Sequence, residues 1–132
     1  MGCQTYWVND EKSILEIVYS AGWTWDDYFS AIDAAYLMIT SQSHVVYAIS
    51  NLNRTKFPPM KTSVLTQWNI AASRYSIPEN LGLTVICGQT GFAAFLTNTF
   101  VRLSTTKMRF ASVDNREMAL REIDKIREAA TN

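Results

Sequence analysis

The chain has 132 residues, 48% of them apolar and 18% charged, with twelve cations balancing twelve anions. That length lets one domain bury about two thirds of its unfolded surface without a disulfide or metal staple. No apolar run approaches the ~20 residues of a membrane-spanning helix, the opening MGCQTYWVNDEK lacks the regions of a signal peptide, and two separated cysteines make no disulfide framework.

The expected setting is therefore a reducing, cytoplasmic one. Gly2 and Cys3 fit the start of an acylation signal, but position 6 is Tyr where myristoylation wants Ser or Thr. Charge is uneven along the neutral chain. Residues 1–33 hold Lys12 against six anions, residues 34–113 hold seven cations against Glu79, and residues 114–132 hold four cations against five anions. Either an anion-binding surface or a fold that interleaves these segments accounts for this, and interleaving is the simpler account.

TYWV and SILEIVYSA read as two strands joined by the polar turn Asn9-Asp10-Glu11-Lys12. Ile14, Leu15, Ile17, Val18 and Tyr19 supply the β-branched and aromatic content of a strand buried on at least one face. Gly22 ends the run, and in WTWDDYFSAIDAAYLMIT the period changes. Trp25, Tyr28, Phe29, Ile32, Ala35, Tyr36 and Ile39 form one helical stripe, with Thr24 as N-cap and Asp26 and Asp27 in the first turn, where the helix dipole favours anions.

HVVYAIS is a continuous apolar run of strand length. The irregular stretch NLNRTKFPPMKTS follows. Val64, Leu65, Trp68, Ala71, Ala72 and Tyr75 then resume helical spacing, closed by Pro78 and the region from Asn80 to Gly82. LGLTVICG predicts another buried strand ended by Gly88, and Phe92, Phe95, Leu96, Phe100 and Leu103 form a third helical stripe. KMRFASV predicts a last strand. Asp114 with Glu117 resembles a capping box opening a final helix through Ala119, Leu120, Ile123 and Ala130. The order β-β-α-β-α-β-α-β-α implies a single α/β domain: a mixed, mostly parallel five-stranded sheet with four helices and one antiparallel edge.

The chemistry-bearing patterns are thin. CGQTGF places Cys87 at a strand end before a helix start, but position 93 is Ala where a phosphatase-like loop wants Arg, and no Gly-Lys-Ser/Thr follows. His44, the single histidine, precedes a strand, away from the carboxyl ends where parallel sheets collect ligands. One His and two distant Cys make no zinc set. An enzyme is not expected, nor a metal or other cofactor. Neutral charge and scattered cations argue against nucleic-acid binding. Trp23 falls at the strand–helix turn, off the aromatic stripe, and is expected to be partly exposed at a binding surface.

From TYWVND to the last helix the chain resembles the SpoIIAA-like (STAS, anti-sigma-factor-antagonist-like) family. The resemblance rests on AGWTWDDYFSAIDAAY, on VVYAISNLN before an irregular loop, and on NLGLTVICG with the apolar helix after it. In that family's switch members the third strand ends in Asp, and an Asp-Ser-Ser-Gly-like motif opens the next helix with a serine that a partner kinase phosphorylates. Here the strand-end position is Asn51 and the helix start reads Met60-Lys61-Thr62-Ser63-Val64, so Ser63, then Thr62, is the nearest phospho-acceptor.

The resemblance implies a non-enzymatic regulatory protein-interaction module, without a functional phosphoswitch and with a homodimer as a candidate assembly. Its partner- or anion-binding surface would draw on Asn51, Arg54, Lys56, Lys61, Thr62, Ser63 and Trp23. Sec14-like lipid-transfer proteins are distantly similar in fold. That makes a carrier of a lipid or organic anion the alternative.

Overall fold

The computed structural model describes residues 2–53, 78–88 and 109–131. Over them the chain is α/β, with strands β1 (Cys3–Trp7), β2 (Ile14–Tyr19), β3 (Val46–Asn51), β4 (Leu81–Cys87) and β5 (Arg109–Val113), and helices α1 (Trp25–Thr40) and α2 (Arg116–Thr131). The expected helices over 64–75 and 92–103 lie outside the described residues, as do Arg54, Lys56, Lys61, Thr62 and Ser63.

The five strands form one sheet in chain order, β1-β2-β3-β4-β5. β1 is antiparallel to β2, and every later pairing is parallel. The opening hairpin turns where Asn9 Oδ1 accepts the Ser13 and Ile14 N–H groups at 3.1 and 3.3 Å and Lys12 takes φ 57°. Val8 N–H donates to Ile14 C=O and Ser20 N–H to Gly2 C=O, so even-numbered residues of β1 face β2 with their backbone groups. The backbone groups of Cys3, Thr5 and Trp7 therefore point away from the sheet.

α1 begins where the sequence places it. Thr24 and Asp27 cap each other, with Asp27 N–H donating to Thr24 Oγ1 at 3.1 Å and Thr24 N–H to the Asp27 carboxylate at 3.0 Å. At the far end Asn80 Nδ2 donates to the carbonyls of Ile39, Gln42 and His44, tying the exit of α1 to the entry of β4. α2 starts one residue later than the expected capping pair. Asn115, not Asp114, is the cap: its Oδ1 accepts Met118 N–H at 3.0 Å. The amide one residue on has the better reach to the first turn.

Strand alternation sends two apolar sets to opposite faces. Leu15, Ile17, Tyr19, Val46, Ala48 and Ile86 pack with Trp23, Trp25, Tyr28, Ala31, Ala35 and Ile39 on the α1 face. Ile14, Tyr47, Ile49, Leu83, Val85 and Cys87 pack with Ala119 and Ile123 on the α2 face. Among the described residues no helix is long and apolar enough to cross a membrane.

Candidate functional site

On the α2 face the apolar alternation of β2 is broken once, by Glu16, which is 0% exposed. A carboxylate taken out of water needs charge and hydrogen bonds around it, and Glu16 has both. Arg116 Nε, at the start of α2, donates to Oε1 at 2.9 Å. Asn51 Nδ2, at the end of β3, donates to Oε2 at 2.9 Å, and the Tyr6 hydroxyl on β1 donates to Oε1. Burial pushes the carboxyl's pKa up. The hydrogen bonds from Tyr6, Arg116 and Asn51, with the Arg116 charge, outweigh it and hold Glu16 below the usual carboxylate range. Tyr6 moves the other way: burial and the bond to the Glu16 carboxylate both raise its hydroxyl pKa.

This knot fixes the carboxyl edge of the sheet, where open parallel sheets bind their ligands. Asn51 is 8% exposed and uses both ends of its amide, since Oδ1 accepts Asn53 N–H at 3.0 Å. Leu52 N–H then donates to Cys87 C=O at 2.9 Å, and Asn53 Nδ2 to Asp114 C=O at 3.1 Å. Gly88, at φ 77°, lets the turn after β4 lie against the turn after β3: a Cβ there would stand 2.7 Å from Asn53 N. The chain segments leaving β3, β4 and β5 are thus stitched together.

Two expectations change here. Asn51 does not face outward as a contact residue; it is the buried anchor of the segment that does. An Asp at 51 would turn an acceptor toward Glu16, so the amide is what the neighbouring carboxylate requires. Trp23 is 4% exposed rather than surface-facing. Gly22, at φ 81°, turns the chain so that the indole enters the α1-face core, with ring centroids 5.1 Å from both Tyr19 and Trp25. Its Nε1 has no hydrogen-bond partner among the described residues, and neither does Thr84 Oγ1, which lies on the same face of the sheet.

Neither cysteine is set up as a nucleophile. Cys87 is fully buried, and desolvation, then the Glu16 charge, push its thiol pKa up to about 11. Cys3 is pushed up to about 12 by burial and by Asp27. An activated thiolate needs the opposite shift. His44 stands at the amino end of β3, exposed, its Nε2 2.9 Å from Lys12 C=O. Among the described residues no His, Cys, Asp and Glu side chains gather as a metal site.

Sequence reading missed Glu16, Tyr6 and Arg116. The available signal was a lone charge inside the apolar run SILEIVYSA. What the arrangement does is hold the Glu16 carboxylate, Asn51 and the start of α2 in fixed positions. The carboxylate is closed off and held anionic, and the parts of the knot that reach solvent are Tyr6, 39% exposed, and the Arg116 side chain, 43% exposed. No protein-family model, curated protein or solved structure matches the chain.

Proposed function

We propose that the chain is a non-enzymatic, cytoplasmic protein-interaction module of SpoIIAA/STAS-like fold. Its partner surface is the carboxyl edge of the sheet and the segment 51–63 that leaves β3. The observation that carries this reading is the Glu16 knot. It spends a buried charge on locking Asn51, and with it the root of that segment, and the thiol nearest to it among the described residues, Cys87, is buried with its pKa raised. A rigid platform of this kind serves recognition better than turnover. Arg54, Lys56 and Lys61, the cations that follow that root in the sequence, are the residues this reading assigns to anion or partner contact, with Ser63 and Thr62 as the nearest hydroxyls.

Site-directed photo-crosslinking tests this. A crosslinker at Asn53 or Asp114, both exposed at the carboxyl edge, should trap the same partner, whereas one at Ser43, at the amino end, should trap none. Equal adducts at both ends, or none at either, would remove the assignment.

The alternative, a carrier of a lipid or organic anion, is favoured by two donors on the α1 face, Trp23 Nε1 and Thr84 Oγ1, that have no partner among the described residues. Buried donors normally have acceptors, and a ligand carbonyl or carboxylate would supply one. Native mass spectrometry of gently purified protein decides this reading: a bound small molecule lost in Trp23→Phe supports it, and an empty protein removes it.

A further inference from the structure

Among the described residues β1 and β5 are the two edges of the sheet, and they differ in how they are guarded. Exposed edges are normally protected from strand addition by charged residues, proline or a bulge. β5 contains Arg109. β1, Cys-Gln-Thr-Tyr-Trp, has no charge and no proline, and its register with β2 runs unbroken from Cys3↔Tyr19 to Trp7↔Leu15. Its outward backbone groups are those of Cys3, Thr5 and Trp7, and none has a described backbone partner.

We propose that β1 is a self-pairing edge, where a second copy of this chain adds its own β1 antiparallel about a twofold axis through Thr5, continuing the sheet across the dimer. The spacing carries the proposal. Centring on Thr5 sets Cys3 opposite the partner's Trp7 and Thr5 opposite the partner's Thr5. All are odd-numbered residues with outward backbone groups, so these facing pairs become hydrogen-bonded pairs with about six N–H···O bonds in total. Gln4 then faces the partner's Tyr6. Each facing pair sets a small or flexible side chain against an aromatic, or hydroxyl against hydroxyl, and no like charges meet.

The layer above fits a second copy too. Thr5 Oγ1 lies 3.4 Å from Ala31 C=O, which puts one flank of α1 beside β1. At helical spacing that flank continues through Ala34 and Met38. Its one charge, Asp27, is engaged with its own N-cap. Across the twofold the two α1 helices run antiparallel, and small residues on the facing flanks suit their approach. A foreign peptide strand would use the same backbone groups, but it would leave this α1 flank uncovered.

Sedimentation equilibrium with concentration-dependent amide exchange tests the proposal on the full chain. The expected result is a monomer–dimer equilibrium in which the amides of Cys3, Thr5 and Trp7 slow as concentration rises, while those of Gln4, Tyr6 and Val8 are protected throughout. Thr5→Pro removes a donor that β2 does not use and should weaken self-association by ~10-fold or more. Thr5→Lys, which sets like charges face to face while sparing the backbone, should do the same and covers the case in which the proline variant fails to fold. A monomer throughout, a dimer whose odd β1 amides stay fast, or a dimer unchanged in Thr5→Lys would each overturn the proposal.

Discussion

The two faces of the sheet solve the same burial problem differently. The α1 face is an aromatic assembly in which Tyr19, Trp23, Trp25, Tyr28 and Phe29 pack edge-on, tilted or stacked at centroid separations of 5.1–6.3 Å. Its polar groups are incidental to that packing, and two, Trp23 Nε1 and Thr84 Oγ1, go unanswered among the described residues. The α2 face is aliphatic over most of its area and ends in a charged knot whose every described member is answered. The first face supplies stabilisation through area. The second gives up some of it, because a buried ion pair seldom outdoes an apolar substitute, and gains a fixed position for the segment that leaves β3.

Four substitutions test that division. Trp23→Ala should be the most damaging, since truncating a buried indole costs about 3–5 kcal/mol; denaturant titration should show the loss with little change on the α2 face. A loss under ~1 kcal/mol would mean that the aromatic cluster is not a stabilising unit.

Asn51→Asp should come next, at about 3 kcal/mol near neutral pH, because two carboxylates would then share one buried site. Its pH dependence should run opposite to that of the wild type. In the wild type the folded pKa of Glu16 is depressed, so its contribution is present above the unfolded value of about 4.3 and is lost as pH falls through the folded value. In Asn51→Asp one carboxyl is raised, so stability is kept at low pH and lost as pH climbs through the folded value. Urea titrations from pH 3 to pH 7 read both slopes, and matching slopes would refute the shared-site account.

Glu16→Gln should cost about 2 kcal/mol through the loss of charge-assisted bonds, and should flatten the acid limb because nothing at 16 then titrates. An acid limb as steep as before would mean that other carboxylates set it. Smallest of all, Trp23→Phe should stay within ~1 kcal/mol if Nε1 is unanswered, since removing an unpartnered donor offsets part of the lost area. A loss as large as that of Trp23→Ala would show that the indole N–H has an acceptor after all.

Local rules reached far into this fold. Thr24 and Asp27 announce the start of α1, β-branched runs announce β2, β3 and β4, and the polar turn after Trp7 announces the hairpin. The charge pattern was also legible in part. Two acids of the anionic first segment, Glu11 and Glu16, pair with Arg127 and Arg116 of the last. What local rules could not reach was the knot. The partners of Glu16 lie 10, 35 and 100 residues away, and no window along the chain holds them together. Trp23 eluded them for a different reason: it precedes the helix, so the periodicity that sorts α1 residues inward or outward does not apply to it. Its direction is set by the backbone turn at Gly22.

The coincidence of strand order with chain order bears on how the protein is made. On a ribosome each strand emerges next to one already present, so the sheet grows by accretion, with no strand inserted between two earlier ones. Arg116 leaves the tunnel a hundred residues after Glu16. Until then Glu16 is without the cation it pairs with in the folded chain, and a charge set inside an apolar run is the kind of residue that guards such a run against sticking to neighbours. The arrival of α2 converts the same charge from a guard on the nascent chain into the latch of the finished one.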